Sequence, residues 1–287
     1  MRGKVVSLVG GVYDVYTLNK QLVKVKPLGI LKHKKIKILV GDEVEVSLEN
    51  MTLNEVYQRE NSLIRPRISN IDLGIVVMSL VKPNYSSYLL DKFLTLLNLS
   101  KIKPLIVITK IDLIEDRSVI VKIKKQYELL GIKVIGFSKE TREGLEEIKN
   151  EIKNKTIAFM GQTGVGKSSL INIIDPDFER KEGEYSSSLG RGKHQTKEVI
   201  LLPYEEGFIG DTPGFSSLEL DIYKEDLASS FPLISSYYHE CKYSNCLHKN
   251  EPGCKIKELV SKGLLDPENY QNYLDISDEL ILRKDRF

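Results

Sequence analysis

No stretch of this chain is apolar for long enough to cross a bilayer. The longest such run, Leu73 to Val81, falls well short of the ~20 residues that a spanning helix needs. The opening Met1-Arg2-Gly3-Lys4 runs into a strand-like segment and lacks the apolar core of a signal peptide, so a cytoplasmic protein with no membrane partner is expected. Cysteine is scarce, with three among 287 residues. In the cytosol these would be thiols or metal ligands, not a disulfide framework. There is no internal repeat and no low-complexity segment, and the net charge is only +2. What remains is a chain of 41% hydrophobic and 29% charged residues, the composition of a soluble globular protein long enough for two or three domains.

The small net charge hides an uneven distribution. Residues 1–65 hold eleven Lys/Arg against seven Asp/Glu, and seven lysines with His33 and no acid lie between Lys20 and Ile38. Such clustering fits either a solvated lysine-rich hairpin or a face for nucleic-acid phosphates, and charge alone does not choose. The same region alternates in short pieces at Lys4–Val9, Val12–Tyr16, Gln21–Val25, Lys35–Val40 and Glu43–Leu48, with turns at Gly10-Gly11, Asn19-Lys20 and Gly41-Asp42. Five short strands predict a small β-barrel over 1–65, an OB-fold first and an SH3-like barrel nearly as well.

From residue 71 the rhythm changes. Apolar runs at Leu73–Leu80, Pro104–Ile108, Lys133–Phe137 and Thr156–Met160 read as buried parallel strands, with helical stretches near 88–99, 118–130 and 144–153 between them. Further strands near Glu198–Leu202 and Gly207–Gly210 complete an α/β domain over 66–220, a doubly wound sheet. Gly183–Gly192, rich in Gly and Ser, reads as a mobile loop. Residues 221–287 read as a helical, zinc-binding domain.

Two motifs carry the chemistry, and their order is the informative part. Gly161-Gln162-Thr163-Gly164-Val165-Gly166-Lys167-Ser168 matches the phosphate-loop pattern between a strand and a helix. Its glycines let backbone N–H groups face the phosphates, Lys167 is suited to the β- and γ-phosphates, Ser168 to Mg²⁺, and Ser169 continues the helix N-terminus. Thr109-Lys110-Ile111-Asp112 has the form of the guanine-reading motif. Asp112 can accept from guanine N1–H and the 2-amino group, a pair that adenine cannot offer, which opposes an ATPase or kinase. Lys110 would lie along the base, and Ser138-Lys139 falls where a backbone loop caps guanine O6. Asp211-Thr212-Pro213-Gly214 ends a strand, so that Asp211 suits Mg²⁺ and the Gly214 N–H suits the γ-phosphate. In an ordinary GTPase the phosphate loop precedes the base-reading motif; here the order is reversed, which predicts a circular permutation. Phe215 stands where a water-orienting glutamine is common. His194, between the phosphate loop and Asp211, is therefore the candidate catalytic group, and Thr196 the candidate Mg²⁺ ligand.

Every cysteine falls in Cys241-x4-Cys246-x-His248-x5-Cys254, a donor set for one closed, structural Zn²⁺ site. Together the barrel, the permuted order and this cluster closely resemble the ribosome-small-subunit-dependent GTPase A family. The resemblance implies a GTPase that converts GTP to GDP, stimulated by the 30S subunit, a late assembly factor binding 16S rRNA and acting as a monomer. The family's switch usually reads H-T-T where this chain has His194-Gln195-Thr196, and more often has Asn where this chain has Thr109. A permuted GTPase of the large subunit, or an RNA-binding module that holds nucleotide without turnover, are the other readings.

Overall fold

The computed structural model describes residues 1–33, 36–63, 66–180, 199–211 and 218–284. Its first five strands, β1 (Arg2–Val9), β2 (Val12–Thr17), β3 (Leu22–Pro27), β4 (Glu43–Ser47) and β5 (Thr52–Val56), close into a barrel in the order β1-β2-β3-β5-β4. All pairs are antiparallel except β3 with β5, the Greek-key closure of an OB-fold and not of an SH3-like barrel. Val5, Val15, Val25, Val44, Val46 and Leu53 point inward, and Leu31 and Ile38 join the same core. On β3 the alternation throws Lys24 and Lys26 outward, and Lys20 and Lys37 are exposed as well.

The expected strand Lys35–Val40 is a correction. Residues 36–39 are irregular, and Val40 makes only an isolated bridge to Ile68. This segment buries Ile38 and Val40 by a different route: the Leu39 N–H bonds the Asp42 carboxylate at 2.8 Å, so the backbone is satisfied without a ladder partner. A short helix, α1 (Gly29–His33), precedes it. The fifth strand is instead Thr52–Val56, whose Asn54 and Glu55 are poor strand formers.

A two-residue ladder of β6 (Ser62–Leu63) and β7 (Ile68–Ser69) leads into the α/β part. There β8 (Leu73–Ser79), β9 (Lys103–Thr109), β10 (Lys133–Phe137), β11 (Thr156–Gly161), β12 (Ile200–Tyr204) and β13 (Gly207–Asp211) form one sheet in the order β10-β9-β8-β11-β13-β12. The β9–β10 and β11–β13 pairs are parallel, and the edge strand β12 returns antiparallel through a hairpin. Helices α2 (Ser87–Leu99), α3 (Ser118–Glu128), α4 (Leu145–Ile152) and α5 (Lys167–Ile174) connect the strands, close to where the apolar periodicity places them. The C-terminal part is helical: α6 (Lys224–Ser230), α7 (Pro232–Ser235), α8 (Lys255–Ser261) and α9 (Pro267–Lys284).

The described residues divide into two compact units. The first takes Met1–Ile75, Leu145–Met160 and the described part of Gly166–Gly214; the second takes Val76–Gly144, Gly161–Val165 and the described part of Phe215–Phe287. Within the second, α9 lies along α2 through a mostly polar seam. Asp91, 1% exposed, accepts from Asn269 Nδ2 at 2.6 Å, Asn272 Nδ2 at 2.7 Å and the Tyr127 hydroxyl at 3.0 Å. Lys92 pairs with Glu279, and the Ser87 hydroxyl donates to Glu268.

Candidate functional site

In the second unit, β9 ends at Thr109 and the chain turns at Lys110, whose φ of 58° starts a single 3₁₀ turn, Ile111–Leu113. This sharp turn stops the strand and presents Asp112 half-exposed, with no hydrogen-bond partner among the described residues. Thr109 is buried, and its hydroxyl proton is shared between Val165 O and Met78 O. The Lys110 ammonium meets three carbonyls, Val81 O at 3.3 Å, Lys82 O, and Gly164 O at 2.8 Å. Base-reading loop and phosphate loop are thus tied to each other through backbone oxygens of Gly164 and Val165. The sequence marks those two positions as loop residues but carries no sign that their carbonyls are the partners. Ser138, fully buried at the end of β10, accepts from the Thr141 N–H at 3.1 Å, and its own N–H bonds Glu143 O at 3.2 Å. That turn holds the backbone at Ser138 and Lys139 in place, with the Lys139 side chain exposed.

Gly161 shows why the phosphate loop needs glycine. At φ 153°, a Cβ there would sit 2.4 Å from Val77 O, a clash of backbone with backbone. Gln162 is half-buried, Thr163 and Gly164 are exposed, and Val165 anchors the loop at 1% exposure.

In the first unit, Gly166 with φ 96° caps α5, which Lys167 opens, and Ser168 and Ser169 stand exposed on its first turn. Lys167 is 7% exposed, and its ammonium makes an ion pair with the Asp211 carboxylate at the end of β13. The structure therefore brings together Lys167 and Asp211, and separately Thr109 and Lys110 with Gly164 and Val165. Asp211 and Ser168 offer the hard oxygen donors that Mg²⁺ takes. His194, Thr196 and Gly214, with Gln195 and Phe215, lie outside the described residues.

The cysteine cluster is assembled in the second unit. The Sγ atoms of Cys241, Cys246 and Cys254 and a ring nitrogen of His248 all lie within 4.8 Å of one another. His248 Nδ1 is 3.5 Å from both Cys241 Sγ and Cys254 Sγ. A tetrahedral site with Zn–S of about 2.3 Å and Zn–N of about 2.0 Å requires donor separations of about 3.6 Å. Burial, with the neighbouring Cys254, pushes the Cys246 thiol up to about 12, and burial holds His248 below its ordinary value. A neutral imidazole is the form that ligates a divalent cation, and such a cation offsets the burial of Cys246 by binding its thiolate. The donor set fits a metal ion. Tyr270 and Tyr273 donate their hydroxyls to His248 O and Leu247 O, and the Tyr273 ring meets the His248 ring edge-on at 5.6 Å.

Comparison with known proteins gives consistent matches. A family model described as RsgA GTPase matches residues 56–221, and one described as RsgA N-terminal domain matches residues 2–54. The small ribosomal subunit biogenesis GTPase RsgA of Bacillus velezensis is 41% identical over 293 residues, covering 99% of each chain. The protein of the same name from Bacillus subtilis is 40% identical over 295 residues, again with 99% of each covered. The crystal structure of YloQ, a circularly permuted GTPase, superposes with a TM-score of 0.82 at 36% identity, covering 100% of this chain and 96% of that one. YjeQ from Thermotoga maritima superposes equally well, at 0.82 and 31% identity, covering 98% of each.

Proposed function

This chain belongs to the RsgA GTPase family, a circularly permuted GTP hydrolase of small-ribosomal-subunit biogenesis, and on that basis we propose how its residues divide the work. Asp112 reads the guanine edge, and Lys110 and Thr109 hold that loop against the phosphate loop. The backbone of Gly161 to Gly166 with Ser138, Lys139 and Ser169 frames the nucleotide. The observation that carries this reading is the tie from Thr109 and Lys110 to the carbonyls of Val165 and Gly164, which fixes base and phosphate recognition in one register.

At the phosphate end, Lys167 exchanges the Asp211 carboxylate for a phosphate oxygen. Asp211, Ser168 and Thr196 are then free to hold Mg²⁺, which supplies charge neutralisation on the phosphates. The Gly214 N–H meets the γ-phosphate, and His194 orients the attacking water that Phe215 cannot. Cys241, Cys246, His248 and Cys254 hold one structural Zn²⁺, which fixes the loop between α7 and α8. The barrel of residues 1–65 offers Lys20, Lys24, Lys26 and Lys37 to 16S rRNA phosphates. Residues 66–220 hydrolyse GTP, and 221–287 form the zinc-binding part. The protein acts as a cytoplasmic monomer on a late 30S particle.

Two measurements test this reading. Titration with GDP and ADP should show strong guanine preference; equal affinities remove the role given to Asp112. His194→Ala should bind GTP and 30S subunits normally and lose most of the subunit-stimulated single-turnover rate. A mutant stimulated as fully as wild type places the water-orienting group elsewhere.

A further inference from the structure

Thr109 and Phe137 pair directly at the ends of the parallel strands β9 and β10, so the loops that follow leave the sheet side by side within one compact unit. The first loop carries Asp112 and runs to Arg117, which precedes α3. The second carries Ser138 and Lys139 and runs to Glu143. Where the loops begin, the Ile111 side chain lies against Gly136 of β10, and a Cβ there would stand 3.3 Å from Ile111 Cδ1. At their far ends Arg117 reaches a residue 26 positions away, one guanidinium nitrogen donating to both Glu143 carboxylate oxygens at 2.9 and 3.0 Å. Each partner is anchored on its own side. The Ser138 N–H donates to Glu143 O at 3.2 Å, which ties Glu143 back to the start of its loop. The Asp116 carboxylate, beside Arg117, accepts from the Ser118 N–H at 2.8 Å, which fixes the turn into α3.

With side chains 53% and 46% exposed, this ion pair contributes little to folding. Its place between two loops gives it another use. Guanine is read from two sides: Asp112 takes N1–H and the 2-amino group, and the backbone at Ser138 and Lys139 meets O6. Those groups stand on different loops, and a hydrogen bond weakens steeply once its distance and angle are lost. A link that holds the loops at one spacing before the nucleotide arrives lowers the ordering cost of binding. We propose that Arg117 and Glu143 are positioning residues for the guanine base, a clasp that sets the spacing between the Asp112 loop and the Ser138–Lys139 loop. The clasp rests on the base-reading roles given above to those residues. Neither partner belongs to the phosphate loop, so its effect falls on the base and not on the phosphates.

Charge reversal tests the clasp. The full chain is compared with Arg117→Glu, with Glu143→Arg and with the two changes combined. A GDP carrying a fluorophore on its ribose is displaced from each by unlabelled GDP and by ADP, which gives both dissociation constants. Each single reversal should weaken GDP about two- to fivefold, the range of an exposed ion pair. ADP, whose base offers nothing to Asp112, should bind each variant as it binds the wild type. The double variant restores the pair in the opposite sense and should bind GDP more tightly than either single. Unchanged GDP affinity in a single reversal, an equal loss for ADP, or a double variant no tighter than the singles each overturns the proposal. If the wild type itself binds GDP and ADP alike, the guanine reading falls and the clasp falls with it. If the wild type prefers GDP and the reversals have no effect, the clasp alone falls.

Discussion

Asp112 and Thr109 sit three positions apart in one motif, yet they differ in what the sequence reveals about them. A half-exposed carboxylate at a strand end, spent on no neighbour, is readable from the T-K-x-D pattern because its role is set by its own atoms. Thr109 works through others. It is 2% exposed and gives its proton to backbone oxygens 31 and 56 residues away in sequence. Carbonyl partners leave no trace in residue identity, so that role became legible only in the fold. The same holds for the Lys167–Asp211 pair, where each residue was recognisable singly and their contact was not. Asp112→Asn should lower GTP affinity on the order of 10²-fold, since two hydrogen bonds to a charged acceptor are lost or reversed. Affinity for xanthosine triphosphate, whose 2-oxo group suits an amide donor, should rise in parallel. Competition binding with both nucleotides checks this, and an unchanged ratio contradicts the assignment.

Among elements, those with strong periodicity were placed correctly and those shaped by local hydrogen bonding were not. Strands β8, β9 and β10 lie within a residue or two of their apolar runs, because parallel strands buried on both faces are apolar throughout. Lys35–Val40 has the alternation of a strand but spends its backbone on Asp42 and Ser69, and Thr52–Val56 lacks that alternation yet closes the barrel. The cysteine–histidine cluster was legible as four residues that the structure brings together, whereas the tyrosine hydroxyls that brace it were not. Protein purified without added metal should contain about one Zn²⁺ per chain. Cys246→Ser should lower that content and loosen the segment from Cys241 to Ser261, read by hydrogen exchange, while leaving GTP affinity near normal. A metal-free protein with that segment protected contradicts the zinc reading.

The seam between α2 and α9 makes a pH prediction. Burial raises Asp91 from its ordinary 3.8 to about 7, although Asn272, Asn269 and Tyr127 donate to it; Glu268 and Tyr85 are the other ionisable groups that act on it. A folded-state value above the unfolded one means that the native chain holds the proton longer. Stability from this group is therefore full below about pH 4 and is lost as pH rises through about 7. Thermal unfolding between pH 5 and pH 8 should show a decline that is shallower in Asp91→Asn, whatever the offset in absolute stability. Equal slopes would mean that Asp91 is ionised throughout.

For the whole molecule, the permutation is what joins these parts. The T-K-x-D strand lies upstream of the phosphate loop, so the strand ending at Asp211 is followed in sequence by the α6–α9 region and its cysteine–histidine cluster and not by more of the sheet. The proposed nucleotide contacts Asp211 and Gly214 thereby stand next in sequence to the C-terminal part. This architecture was visible in the sequence because motif order survives translation into structure unchanged; the division into two compact units follows from packing. The most direct test is single-turnover GTP hydrolysis by the intact protein, alone, with saturating 30S subunits and with saturating 50S subunits. A slow rate alone, strong acceleration by 30S and none by 50S is the predicted result. A rate indifferent to 30S, or acceleration by 50S instead, would contradict the account.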